Sequence, residues 1–523
     1  MRKRHAVLLA LALCAGTAAF AQSDSIPSSL SGADDDRQTQ DSGQSLGDLA
    51  RKVRKDHSEE TKMTDEDAKK LFADVDRIAN FASEDSGFPL HTPVKRRMIS
   101  PDELEKSARE NLAKPEYADR FARAELTMKK FGLLPRDFNL REFLVKTERK
   151  DIAAYYDYDS KTISLLNTIP VEQQEAILAH ELTHALQDQN YGLHSWLKAG
   201  ESDESSTARR AVVEGQATVV FLDYLLARLG RNVENTPGII YRMEDPAVKY
   251  AVDSQLMHDA PMILREWGTF PYREGLIFEG ELLQSGGKKL AFQEVFANPP
   301  RSTHEIIQPR AYLDREKISP PAMPDAKVFG SEYDVYDSGT LGELDVRALL
   351  WQLGTRTLAD DLSKSWRGGS YIAVRKKAAG PTTASDLKLL YLSRWSSPEA
   401  AQRFAKFYIS GISRRYQAAT PDPGAACVGA KCPVFSSTVS TEEGPVLVDL
   451  WRDNTVLVSE SFDQDTAAKL VTATRDMAEN SAQIAFPGAE LGMRFYDSLA
   501  FRRWQAFLGA AFFSKINLNS AGK

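Results

Sequence analysis

His180-Glu181-Leu182-Thr183-His184 constrains this chain more than any other five residues in it. The pattern acts as a unit only in a helix, where residues four apart stand one turn above each other on the same face. Two imidazoles so placed converge on one zinc ion, and the Glu beside the first reaches a water on that metal. Zinc lowers the pKa of its bound water to about 7, and a carboxylate at that place takes the proton. The neighbouring residues supply the helix. Pro170 suits a first helical position, Glu172 the first turn and Gly192 a C-terminal cap, while Val171, Leu178, Leu182 and Ala185 keep an apolar stripe.

A catalytic zinc takes three protein ligands and keeps one position for water. A third His at the metzincin spacing would need Gly at 187 and His at 190, where this chain has Gln187 and Asn190. His194 follows the helix end at Gly192 and fits no spacing pattern. Glu214 fits best: it stands inside the apolar run Ala211-Val212-Val213-Glu214-Gly215-Gln216-Ala217-Thr218-Val219-Val220-Phe221, where a lone carboxylate is costly unless paired or bound to metal. Gly215 beside it lets a second helix approach closely. The competing reading is an i,i+4 pair of Glu214 with Arg210, which leaves the apolar neighbours unexplained. Asp188, four residues after His184, reads as a partner that orients an imidazole. The run from Glu201 through Asp203 and Glu204 reads as a solvated loop.

With His180, Glu181, His184 and a Glu on a following helix, the chain resembles the gluzincin zinc peptidases, of which thermolysin is the familiar member. Ala179 to Gln189, followed by Val213-Glu214-Gly215-Gln216-Ala217, is similar to a group of exported bacterial metallopeptidases. Phe270 to Gly275, Asn298 to Thr303 and Thr340 to Glu343 share that likeness, which extends over roughly residues 65 to 460. It implies one zinc per chain and a downstream His or Tyr that stabilises the oxyanion, with Tyr272, His304 and Tyr312 as candidates. Departures stand beside it. The stretch between His184 and Glu214 is longer than in thermolysin, Thr218 occupies the place of a supporting Asp, and no Gly-x-Met-Glu-Asn occurs. The last point tilts the expectation towards an endopeptidase.

Residues 1–21 read as a secretory signal: a basic start, the apolar stretch Ala6 to Phe20, and Ala19-Phe20-Ala21 as cleavage site. About 15 apolar residues are too few to span a bilayer, which takes about 20. Removing them takes three basic and no acidic residues, moving the formal charge from −7 to −10. A mildly acidic chain without basic blocks gives no reason to expect nucleic acid. In the oxidising compartment that export implies, Cys427 and Cys432 are expected to form a local disulfide.

Residues 22–60 are rich in Ser, Asp, Gln and Gly and read as a disordered linker. Asp65 to Phe81 and Asp102 to Phe131 show helical spacing. Ile152 to Tyr156 and Lys161 to Leu166 read as a hairpin, its second strand leading into the zinc helix and expected at the edge of the cleft. Residues 215–355 are mostly helical in pattern, with a Pro-rich loop from Asn298 to Pro309. Beyond about 365, strand-like and helix-like runs alternate, as in a small sheet with helices on one face. Gly492 to Phe513 reads as an aromatic, basic amphipathic helix, docked on the body with membrane-surface contact the lesser alternative.

The expected fold class is α+β. A mainly helical zincin-like catalytic domain (61–360) with a small sheet edge precedes a smaller α+β domain (361–480) and a helical tail (481–523). The expected function is that of an exported, periplasmic or secreted, zinc-dependent peptidase in which His180, His184 and Glu214 hold Zn²⁺ and Glu181 is the general base. The alternatives are a zinc hydrolase of a non-protein amide or cell-wall peptide, and a zinc-bearing binding protein without turnover. An intact Glu181 argues against the last, because a structural zinc needs no base.

Overall fold

The computed structural model describes residues 65–148, 154–166, 171–200, 202–240, 260–318, 320–377, 380–422 and 432–480. The signal segment, the linker, Glu201, Cys427 and the helix expected over 492–513 lie outside the described residues.

The chain begins with helix α1 (Asp65–Ser86) and strand β1 (Lys95–Ile99). The helical spacing from 102 to 131 resolves into two helices, α2 (Pro101–Leu112) and α3 (Pro115–Phe131). Pro115 lacks an amide hydrogen and holds Lys114 in extended backbone, φ −59° and ψ 132°. Helix α4 (Leu140–Glu148) follows. The expected hairpin is present as β2 (Ala154–Asp157) and β3 (Thr162–Leu166), antiparallel with Tyr156 opposite Ile163. Its second strand, however, is not at an edge. Strand β1 pairs with β3 in parallel, giving the order β1-β3-β2, so the expected cleft-edge role of β3 is corrected and β2 takes the outer position. Strand β1 escapes the sequence pattern because Lys95-Arg96-Arg97 supply most of its alternation.

Helix α5 (Val171–Tyr191) carries the His-Glu-Leu-Thr-His motif and stops at Gly192, whose φ of +62° requires a residue without Cβ strain. After the short α6 (Leu193–Lys198), helix α7 (Asp203–Ala227) starts at Ser202, whose hydroxyl accepts from the Ser205 amide. The expected solvated loop is thereby corrected. Asp203 and Glu204 form the first turn of α7, and both are buried. Glu204 Oε1 accepts from the Thr303 N–H (2.7 Å) and hydroxyl (2.6 Å). Burial, with the Asp345 charge adding to it, pushes the Glu204 carboxyl up to about 8.

Helix α8 (Met262–Lys288) crosses α7 backbone to backbone. A Cβ on Gly215 would lie 2.4 Å from the Gly275 carbonyl oxygen, and one on Gly275 would lie 2.3 Å from that of Ala211. Gly215 thus does what its place beside Glu214 suggests. A methyl there meets main chain that has no rotamer to escape into. Gly275→Ala is expected to cost at least about 1–3 kcal/mol, read as a lower midpoint in thermal unfolding. An unchanged midpoint would show that the helices separate freely. Past Gly287 (φ +65°) the chain enters a π-helical turn, Lys289–Glu294. The Pro-rich loop contains two short helices, α9 (Thr303–Ile307) and α10 (Pro309–Leu313).

The fold class is α+β. The C-terminal part holds a seven-stranded antiparallel sheet in the order β4-β5-β6-β10-β9-β8-β7. Its strands are β4 (Tyr333–Thr340), β5 (Trp366–Lys376), β6 (Leu387–Trp395), β7 (Ala419–Asp422), β8 (Phe435–Thr441), β9 (Gly444–Leu450) and β10 (Thr455–Glu460). Strand β4 lies ahead of residue 361, where this domain was expected to begin. Between β4 and β5 come α11 (Glu343–Gln352) and α12 (Arg356–Leu362). Both faces of the sheet are covered, which corrects the expected one-sided cover. On one face Phe131 of α3 and Phe404 of α13 (Pro398–Arg415) pack on Tyr391, and Phe131 also packs on Tyr371. On the other, Ile372, Leu390, Leu392 and Leu457 pack with Leu470 of α14 (Gln464–Asn480). The unbroken apolar run Leu389-Leu390-Tyr391-Leu392 is the sequence signature of a strand buried on both sides. No helix among the described residues is long and apolar enough to cross a membrane.

Candidate metal centre

Helix α5 places His180 and His184 one turn apart, and α7 brings Glu214 against them. His180 Nε2 lies 3.2 Å from Glu214 Oε2, His184 Nε2 lies 3.3 Å from the same oxygen, and the two imidazole nitrogens are 3.1 Å apart. These three atoms form a nearly equilateral triangle. Donors at about 2.0–2.1 Å from a tetrahedral zinc stand roughly 3.3–3.4 Å from one another, so the triangle has the size of one face of such a site. Among the described residues it is the one group of three His, Cys, Asp or Glu side chains with the spacing to hold a metal ion. Two neutral nitrogens and one carboxylate also match the donor set of a catalytic zinc, with one direction left for water. The residues present fit the ion.

Glu181 stands on the same helix and is held from above. The Tyr156 N–H of β2 donates to its Oε2 at 2.7 Å. His180, Glu181, His184 and Glu214 are each 6 % exposed or less. Burial raises the Glu181 pKa, against the pull of the two imidazoles. For Glu214 the balance reverses: burial opposes its charge, but the His184 and His180 rings hold its carboxyl well below the usual range. Burial works against a charged His184, and the Glu214 carboxylate outweighs it, pushing the ring up to about 9. A metal ion bound there would take the place of the proton that this pairing favours, since an imidazole ligates only through a deprotonated nitrogen.

Asp188 does not orient an imidazole, which corrects the role expected for it. Its carboxylate accepts from the Tyr156 hydroxyl (2.9 Å), Lys161 Nζ (2.5 Å) and the Leu193 N–H (3.0 Å). It clamps the β2–β3 hairpin and the start of α6 onto α5. The group on His184 is Gln187, whose Oε1 lies 2.9 Å from Nδ1. The sequence carried a signal for it, since a residue three past His184 shares the face of the helix that carries the ring. The backbone donor of Tyr156 carried none, because any residue there presents the same N–H. Thr218, where thermolysin-like enzymes have an Asp, turns its hydroxyl back onto the Glu214 carbonyl (2.7 Å).

Of the three oxyanion candidates, the structure brings Tyr272 to the site. Its ring stacks on that of His180, centroids 6.1 Å apart at 28°. Burial and then the Glu214 and Glu181 charges raise its pKa well above the usual tyrosine value. His304 and Tyr312 are engaged elsewhere. His304 Nδ1 sits 2.6 Å from Glu343 Oε2, and the Tyr312 hydroxyl donates to the Asn298 carbonyl at 2.8 Å. The stretches named above with the motif also meet in space. The Thr303 hydroxyl joins Glu204 to the Leu344 N–H, and Arg347 of α11 reaches Glu266 (2.5 Å) and Glu274 (2.9 Å) of α8. These buried links brace the helices that carry Glu214 and Tyr272.

A family model described as a domain of unknown function (DUF8575) matches residues 331–471, the segment from just before β4 to within α14. It leaves the metal cluster outside its bounds. No curated protein and no solved structure matches the chain.

Proposed function

We propose that this chain is a zinc-dependent peptidase, exported through the signal-like segment 1–21, that hydrolyses peptide bonds. The observation that carries the reading is the donor triangle of His180, His184 and Glu214 with the Glu181 carboxylate on the same helix. Zinc bound there would lower the pKa of its water to about 7 and polarise the scissile carbonyl. Glu181 would take the proton and return it to the leaving amine, and a carboxyl whose pKa is raised by burial is suited to both steps. Tyr272, beside His180, would donate to the carbonyl oxygen as it gains charge. The Tyr156 N–H keeps the Glu181 carboxylate oriented.

The experiment is hydrolysis of an unfolded general protein substrate by the mature chain, with and without chelator, followed by zinc re-addition. Cleavage that chelator abolishes and zinc restores is the expected result. A zinc-loaded chain that cleaves nothing would remove the peptidase reading. One observation favours a second reading, a zinc-bearing binding protein: the cluster is closed, with Glu181 under β2. The same experiment separates the two.

A further inference from the structure

Gln187 and Gln216 are fully buried, and their amides form a chain whose direction is fixed at one end. Gln216 Nε2 lies 2.7 Å from the carbonyl oxygen of Ala291, in the π-helical turn. A carbonyl only accepts, so the Gln216 amide nitrogen must face it and Gln216 Oε1 must point the other way. That oxygen lies 2.8 Å from Gln187 Nε2, which is also 3.1 Å from the Val213 carbonyl oxygen. Both positions demand a donor, so the orientation of the Gln187 amide is fixed in turn. Its Oε1 is left facing His184 Nδ1 at 2.9 Å. An amide oxygen cannot donate, and the Nδ1 of His184 must therefore carry the proton.

We infer that Gln187 and Gln216 are positioning residues: they hold His184 with its proton on Nδ1, so that Nε2 is the atom turned to a metal. The inference rests on the reading of His180, His184 and Glu214 as a metal site. Which imidazole nitrogen binds a metal is set by the hydrogen bond that the other makes. Here that bond is set from two sides, one of them a backbone carbonyl 107 residues away in sequence that acts through two neutral amides. The carbonyl of Val213, the residue before Glu214, is a second anchor. One side chain therefore orients the His ligand and ties α5 to the helix that carries the carboxylate ligand.

Two replacements of Gln187 separate orientation from packing. Gln187→Met fills the space but accepts nothing from Nδ1. Gln187→Glu keeps an acceptor on Nδ1 and gives up the donor to Val213 and Gln216. Both lose the tie to α7, and in Gln187→Glu a carboxylate oxygen also meets the Val213 carbonyl, so a purely structural role would weaken zinc binding at least as much in Gln187→Glu as in Gln187→Met. The measurements are zinc affinity by chelator competition and the exchange-protected Nδ1–H resonance of His184 in nitrogen-15-labelled full-length protein, with and without zinc. The expected result is a protected Nδ1–H in the wild type and in Gln187→Glu, with or without metal. Gln187→Met should lose that resonance and bind zinc about 10–100-fold more weakly, and Gln187→Glu should fall less. Gln216→Met, which removes one of the two anchors of the Gln187 amide and leaves the Val213 carbonyl, should shift affinity in the same direction by a smaller factor. A loss in Gln187→Glu equal to or larger than that in Gln187→Met, or wild-type affinity in Gln187→Met, would overturn the inference. So would a wild-type His184 without a proton on Nδ1, whatever the variants do. A wild-type chain with the protected proton but no zinc uptake would overturn the metal reading and leave the direction of the chain standing.

Discussion

Glu181→Gln is expected to leave zinc bound and to lower turnover by about 10²–10⁴-fold, the range typical of a lost general base. The substitution is nearly silent for the structure. A Gln oxygen accepts the Tyr156 N–H as the carboxylate does at 2.7 Å, and the metal triangle does not include this side chain. What disappears is the site for the proton. Zinc content by elemental analysis and kcat on a cleaved protein are the two readings, and they should part company. Activity equal to the wild type would rule out the mechanism proposed here.

Glu214→Gln should do the opposite and act first on the metal. Glu214 Oε2 stands 3.2 and 3.3 Å from the two imidazole nitrogens, and an amide of the same shape removes the negative charge that balances the cation. As a ligand, its loss should weaken zinc binding well beyond the roughly 10–100-fold seen for groups that only support a ligand. If it served merely as a surface-type partner for Arg210, the change would be a few tenths of a kcal/mol in stability with zinc unaffected. Asp188→Asn is the matched comparison. Because Asp188 clamps the hairpin and touches no imidazole, zinc affinity should be retained. Loss of zinc in Asp188→Asn with retention in Glu214→Gln would refute the ligand set.

Much of the centre was legible in the chain because its residues are local or conspicuous. The His-x-x-x-His spacing carries its own helix geometry, and Glu214 stands out as an acid in an apolar run. Gly215 announced a close approach, although its counterpart, Gly275, could not be named from sequence. Other features were hidden for definable reasons. Asp188 and Gln187 both follow His184 on one helix, and spacing alone gave the orienting role to the acid; tertiary contacts gave it to the amide. Glu204 read as solvated because its partner, Thr303, is 99 residues away. Strand β1 was concealed by basic residues at positions where a strand shows its pattern. The parallel pairing of β1 with β3 also depends on a connection no local pattern encodes. The C-terminal strands β5, β6, β9 and β10 were readable from their apolar runs. Strand β7, four residues long with a Pro, and β8, in which five of seven residues are Ser or Thr, were not.

The contact between Gly215 and Gly275 bears on which ions the centre can accept. Glu214 is the chain neighbour of Gly215, and on that side the main chain beneath the ligand has no slack: it already touches another main chain. Calcium bonds to its ligands at about 2.3–2.6 Å and collects six to eight oxygens. It would need a wider triangle and more donors than two rings and one carboxylate offer. Ions of zinc's size meet the donors where they stand. If the centre holds zinc as proposed, selection by radius would rest in part on a backbone crossing, and a residue with no side chain, which binds nothing itself, would help set it.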